Sequence, residues 1–271
     1  MGVAGEIQAT ALVAAACRAE ETRQPAPRLT DPYAERFLDS LDAAGRALLA
    51  AGRDEVVHRT TLIDGLLLDE VRRHPGATVV NLGAGLCTRP YRLDLSACRE
   101  YVEVDAPEIL ARKATVLGGA EPSCPVRRIP GDVRGLPALG VDGPAVLVTE
   151  GLLVYLPPAE LAGLAATLGG LPAVTGWLAD VVSADSARAM AAVAGRARAG
   201  LALHGLESMD TVERAGWAVA DYRLLPARRP AARPTGRPPG PSVPASRRVL
   251  DGVVLLRPAA PPRTVTGQAV S

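Results

Sequence analysis

The sequence predicts an α/β fold: a doubly wound, mostly parallel sheet with helices on both faces, preceded by a helical segment. Three observations carry the prediction. Short apolar runs rich in β-branched residues alternate with stretches of helical period, the pattern of strands buried on both faces. The first such run, ATVVNLG, breaks at once into the turn Gly83-Ala84-Gly85. Later runs end on a single acid, as YVEVD does at Asp105 and AVLVTE at Glu150.

The elements follow in order. Residues 6–23 read as an alanine-rich helix. TDPYAERFLDSL reads as a second, with Thr30 or Asp31 as N-cap, Pro32 at the first helical position and an apolar stripe through Phe37, Leu38 and Leu41. A longer helix covers roughly 54–73, where Val56, Val57, Leu62, Ile63, Leu66 and Leu67 recur at helical spacing. His74-Pro75-Gly76 stops it. Residues 1–75 therefore form a helical lobe, and 76–258 the sheet-bearing core. Within the core, ATVVNLG, EYVEVD, GPAVLVTEGLLVYL and AVTGWLADVV contain strands, and APEILARKA and PPAELAGLAATLGG are helices. GWAVADYRLL and VLDGVVLLRP are two final strands. Between them lies the stretch 226–248, with six arginines, seven prolines and no acid, read as a loop or extended linker. Residues 259–271 are read as a flexible tail.

At 271 residues the chain can form one large domain, or one with an accessory lobe. Hydrophobic residues make up 48% and aromatics only 3%, so Ala, Leu and Val must build the core. The net charge of +1 gives no global reason for a nucleic-acid or membrane partner. Lys113 is the single lysine. Cys17, Cys87, Cys98 and Cys124 form no C-x-x-C pair and have no histidine nearby, which argues against a zinc or other metal site. The start has an early acid and no basic leader, and no apolar run approaches the roughly 18–20 residues needed to span a bilayer. A soluble, cytoplasmic protein with reduced thiols is expected.

The glycine turn reads Gly83-Ala84-Gly85-Leu86-Cys87-Thr88. A dinucleotide fingerprint needs a third glycine where Thr88 stands, and no Gly-Lys-Ser/Thr of a P-loop follows. A strand and GxG turn of this kind suit a ligand with an adenosine but no pyrophosphate, with S-adenosylmethionine the obvious candidate. A purely structural tight turn fits the same residues. Asp105, about twenty positions on, stands where such folds hold ribose hydroxyls, and Glu103 shares its side of the pleat one step earlier. Asp132 could accept from an adenine amino group while the Val133 amide serves a ring nitrogen. Glu150 ends a buried run, a costly position for an unpartnered acid.

Taken in order, TALVAAACRAEE, DPYAERFL, RTTLID, VVNLGAGLCTRPYRL, EVDAPEIL, GDVRGL and TEGLLVYLPPAEL resemble the leucine carboxyl methyltransferase family, in particular its bacterial branch of polyketide-type O-methyltransferases. The resemblance implies a Rossmann-like class I methyltransferase fold, with a seven-stranded sheet whose last strand is antiparallel and an N-terminal helical lobe over the cofactor. It implies that Arg59 and Arg18 hold the methionine carboxylate of S-adenosylmethionine, and that Gly83 and Gly85 admit its methionine portion. Asp105 would take the ribose, Asp132 and Val133 the adenine, and Glu150 the amino group. One position departs: Cys87 stands where the family usually has an aspartate. Tyr155 and His204 are the candidates for lining the acceptor site or serving as a base, with plain packing the alternative for each. His58 neighbours Arg59, and His74 caps a helix. The implied activity is O-methylation of a carboxyl or phenolic oxygen on a small natural product. The alternatives are N-methylation or cyclisation with the same cofactor, or a non-catalytic cofactor-binding relic. The arginines of 226–248 either belong to a plain soluble insertion or steer an anionic or carrier-bound acceptor.

Overall fold

The buried strands line up as one sheet. A computed structural model of the chain describes residues 3–38, 42–171, 173–196, 202–226 and 249–259. Its strands are β1 (Thr78–Leu82), β2 (Glu100–Asp105), β3 (Val126–Pro130), β4 (Ala145–Thr149), β5 (Val174–Val181), β6 (Trp217–Leu224) and β7 (Gly252–Pro258), in the order β3-β2-β1-β4-β5-β7-β6. The first five pair in parallel, and β7 runs antiparallel to both its neighbours. The order reverses between β1 and β4, where a doubly wound sheet opens a crevice at its carboxyl ends.

Side chains alternate across the pleat, so each strand feeds two cores. Val80, Leu82, Val102, Val104 and Leu147 face one side, covered by Leu161, Leu164, Ala165 and Leu168 of α5 (Pro158–Gly169). Val79, Tyr101, Val146 and Leu178 face the other, covered by Ile63, Leu66, Leu67 and Val71 of α2 (Ala43–Arg73). The second half of α2 is thus a core layer, although it lies inside the expected lobe of residues 1–75. Trp177 and Trp217 meet edge-on at 5.2 Å, and each buried indole finds an acceptor, Thr149 Oγ1 and the Ala165 carbonyl.

The remaining helices are α1 (Val3–Thr22), α3 (Arg89–Arg92), α4 (Pro107–Val116), α6 (Ala184–Arg196) and α7 (Asp210–Glu213). α2 begins well before residue 54: Asp42 caps it by accepting from the Gly45 amide at 2.7 Å, and Gly52 is carried within it. TDPYAERFLDSL makes no full helix over its described part, residues 30–38, and residues 39–41, with Leu41 of the expected stripe, lie outside the described residues. Ala34–Phe37 is one 3-10 turn; Asp31 Oδ1 accepts from the Tyr33 and Ala34 amides at its start, while Oδ2 is held by Arg18 and Thr88. β3 was not expected from VRRIP. Its arginines are paired across the edge of the sheet, Arg127 with Glu100 and Arg128 with Glu103. Nor was α6 expected.

Glu103 is fully buried, and Lys113 holds it at 2.5 Å, which gives the single lysine a structural role. The four cysteines are free thiols. Among the described residues no helix is long and apolar enough to cross a membrane, and no cluster of metal-ligating side chains occurs. The arginine-rich stretch lies outside the described residues from 227 to 248, as does most of the tail, 260–271.

Candidate functional site

A cavity of about 590 Å³ opens at the carboxyl ends of β1, β2 and β4, within the size range of small-molecule sites. Its floor is the glycine turn after β1, and Thr10 and Arg18 of α1 with Arg59 of α2 complete the wall. The eight residues expected to bind a cofactor all line it, and so does Tyr155. His204 does not. It lies in a separate cavity with Leu206 and Thr211, and its amide donates to the Val154 carbonyl at 2.7 Å. His58 sits against Arg28 and the Asp54 carbonyl, away from the cavity wall.

Gly83 and Gly85 both adopt positive φ, +64° and +48°, a region that side chains strain to enter. The turn is tied to the next strand end: Asp105 Oδ2 accepts from the Gly85 amide at 2.6 Å and Oδ1 from the Ala106 amide at 2.7 Å. Burial pushes the Asp105 carboxyl up, and the two amides partly offset it. A carboxylate has about four acceptor sites, so each oxygen keeps capacity for a ligand hydroxyl. Asp132 is more exposed; it accepts from the Arg134 amide at 2.9 Å and caps the 3-10 turn that begins with Val133.

The opposite wall is a chain of alternating charges. Arg18 Nε meets Asp31 at 2.8 Å, and Arg92 stands 3.9 Å from the same carboxylate. Arg92 and Arg89 both bind Asp64, at 2.6 Å each. Arg89 then meets Glu150 at 2.5 Å, Glu150 meets Arg59 at 3.3 Å, and Arg59 meets Asp180 at 3.3 Å. Four arginines and four carboxylates alternate, so the wall is close to neutral and its members are mutually oriented. Thr88, which displaces the third glycine of a dinucleotide turn, anchors that turn by donating to Asp31 at 2.7 Å.

Glu150 sits at the centre of this chain. Burial pushes its carboxyl up, but Arg89, Arg59 and the Thr60 hydroxyl hold it well below the usual carboxylate range. It is therefore an anion facing the cavity. Arg89 Nη2 is buried and close to Glu150, yet it is not aligned to donate and has no other hydrogen-bond acceptor among the described residues. Cys87 also lines the cavity, its Sγ 3.5 Å from Arg89 Nη1 and 3.8 Å from the Tyr101 hydroxyl. Glu150 is followed by Gly151 at φ +64°, and Tyr155 closes a 3-10 turn rather than a helical one. Burial raises the Tyr155 hydroxyl above its ordinary value, against a hydrogen bond with Thr10.

Sequence reasoning missed Asp31, Asp64, Asp180, Arg89 and Arg92. RTTLID and CTRPYRL do carry three of them at the edges of quoted motifs. The available signal was that buried acids and arginines in such motifs need each other.

A family model described as leucine carboxyl methyltransferase matches residues 11–169. A protein of Mycolicibacterium smegmatis named putative S-adenosyl-L-methionine-dependent methyltransferase is 31% identical over 183 residues, covering 58% of this chain and 60% of that protein. The match thus spans about 60% of that relative's length. Another protein of the same name, from Mycobacterium sp. strain JLS, is 30% identical over 261 residues, covering 80% of this chain and 85% of its own. Among solved structures, a DUF574-family protein of Streptomyces avermitilis aligns with a TM-score of 0.59 at 13% identity, covering 92% of this chain and 97% of its own. Magnesium protoporphyrin IX methyltransferase of Synechocystis PCC 6803 with bound S-adenosylhomocysteine aligns at 0.51 and 12%, covering 83% and 91%. At these identities the structures speak for the fold.

Proposed function

The chain belongs to the leucine carboxyl methyltransferase family, whose relatives use S-adenosylmethionine, and from that premise we propose an O-methyltransferase acting on a small natural product of polyketide type. The observation that carries the cofactor reading is the near-neutral wall facing an anchored strand-end acid. A methionine head is a zwitterion and needs a cation and an anion side by side; Arg59 and Glu150 offer them 3.3 Å apart. Arg18 and the unsatisfied Nη2 of Arg89 border the same region. Asp105 supports a ribose with its remaining acceptor capacity, and Asp132 and Val133 line the far end, suited to adenine. Gly83 and Gly85 leave the turn without side chains where the ligand would lie.

The chemistry that S-adenosylmethionine supplies when bound is a methyl group activated by a sulfonium. The chain's part is alignment, which alone can contribute on the order of 7–11 kcal/mol. A carboxylate acceptor needs no general base, whereas a phenol benefits from one. No histidine lines the cavity among the described residues, and burial raises the Tyr155 hydroxyl, which leaves it less available as a base; both support a carboxyl over a phenolic acceptor. An anionic or carrier-bound acid would also be attracted by the six arginines between 226 and 248.

Two measurements test this reading. Calorimetry with S-adenosylhomocysteine should show binding that Asp105→Ala weakens more than about tenfold, roughly 1.4 kcal/mol. Methyl transfer to paired acids and phenols should favour the acids, with a rate that stays flat above the acid's own pKa. Transfer to neither, with cofactor bound, would leave N-methylation, cyclisation or a relic as the reading.

A further inference from the structure

Asp180 does not line the cavity, yet it holds a residue that does. The Thr149–Ala179 pair ends the β4–β5 register, so Asp180 stands next to Glu150 one step beyond the ladder. Its side chain is 3% exposed. Oδ1 accepts from the Gly151 amide at 2.7 Å, and Oδ2 lies 3.3 Å from Arg59 Nη1 as an acceptor. The carboxylate therefore bridges the turn after β4 and the arginine of α2.

Gly151 completes the seat. A Cβ at that position would fall 2.7 Å from Arg59 Nη2 and 3.2 Å from its Cζ. Those atoms belong to a guanidinium that Glu150 and Asp180 already grip, so they cannot easily move aside. Arg59 is thus fixed on three sides: Glu150 at Nε, Asp180 at Nη1, and the bare face of Gly151 against Nη2.

We propose that Asp180 and Gly151 are positioning residues that share the Arg59 guanidinium with Glu150 and fix its orientation, Nε toward Glu150 and Nη1 toward Asp180, so that arginine and acid stand side by side at the cavity and can bind the two ends of an amino-acid zwitterion. Without Asp180, Arg59 turns fully onto Glu150 and the two groups satisfy each other. Recognition of the ligand's carboxylate and of its ammonium then falls together, while the adenosine end, held by Asp105, is untouched. The inference rests on Arg59 binding the methionine carboxylate.

The test compares two probes by calorimetry, S-adenosylhomocysteine and methylthioadenosine, which lacks the amino-acid head. Asp180→Asn keeps the size and the acceptor for Gly151 but removes the charge facing Arg59. Its affinity for S-adenosylhomocysteine should fall about tenfold or more, with methylthioadenosine binding unchanged within about twofold. In an Arg59→Ala background the same substitution should add almost nothing, because the two residues act as one unit. Equal loss for both probes, or full additivity with Arg59→Ala, would overturn the proposal by making Asp180 merely structural. If Asp180→Asn does not fold, Gly151→Ala enters the same cycle with the same expectations. The underlying reading fails separately: Arg59→Ala alone would then leave S-adenosylhomocysteine binding intact.

Discussion

Arg59 contacts two carboxylates through different nitrogens, which only a planar fork can do. Lysine in its place would keep the charge and lose the geometry. Arg59→Lys should therefore bind S-adenosylhomocysteine at least about tenfold more weakly in calorimetry. Equal affinity would show that charge alone suffices and remove the fork from the argument. At this scale the sequence was informative where chemistry sat at a strand end. Asp105 and Glu150 each close an apolar run, and an acid there needs an explanation. Asp180 was hidden, because LADVV reads as one more buried strand and its partners lie 29 and 121 positions away. Asp64 and Arg89 were hidden likewise: each looks like an ordinary surface charge until α2 and the glycine turn are brought together.

Between elements, charge does much of the joining. Glu21, near the end of α1, is 3% exposed at its side chain and binds Arg28 and Arg53 of α2, each at 3.0 Å. Arg28 reaches on to Asp54, and Arg53 to Glu20. The Arg28 hydrogen bonds, against some burial, lower the Glu21 carboxyl to about 2 from an ordinary 4.5. A depressed carboxylate contributes stability that is fully present above its unfolded pKa and lost as pH falls through the folded value. Glu21→Gln should thus melt lower than wild type at pH 7, and the two should converge as pH drops from about 4.5 toward 2. A difference that persists at pH 2 would mean that shape, not charge, is at work. The same principle explains which elements could be read in advance. β1, β2, β4 and β5 declare themselves as apolar runs because both faces are buried. β3 is a half-buried edge strand whose arginines find acids only on β2, so its sequence resembles a loop. Asp31 suggested a helix start and does cap a turn, but its second oxygen serves Arg18 and Thr88, a task no local rule anticipates.

For the molecule as a whole, the question is whether residues 1–75 are a lid that can come away or part of one cooperative unit. Ile63, Leu66, Leu67 and Val71 of α2 form a core layer with Val79, Tyr101, Val146 and Leu178, so removing them would strip one face of the sheet. The charge chain crosses the same boundary five times, at Asp31–Arg92, Arg92–Asp64, Asp64–Arg89, Glu150–Arg59 and Arg59–Asp180. Buried pairs broken on one side cost about 3–5 kcal/mol each, comparable with a domain's whole stability. A chain starting at residue 76 should accordingly fail to fold, as circular dichroism would show. The intact chain should melt in one transition whose calorimetric and van't Hoff enthalpies agree. The cavity is walled from both sides of the boundary, by Arg18 and Arg59 on one and Gly85, Asp105 and Glu150 on the other. A ligand in it stabilises the unit rather than a part. S-adenosylhomocysteine at about 100 times its Kd contributes roughly 2.7 kcal/mol, which for a chain of this size moves Tm by about 5–10 °C. That shift should apply to the single transition. Two transitions, of which the ligand moved only one, would make the N-terminal helices a separate lid and confine the cofactor's hold to whichever part moved.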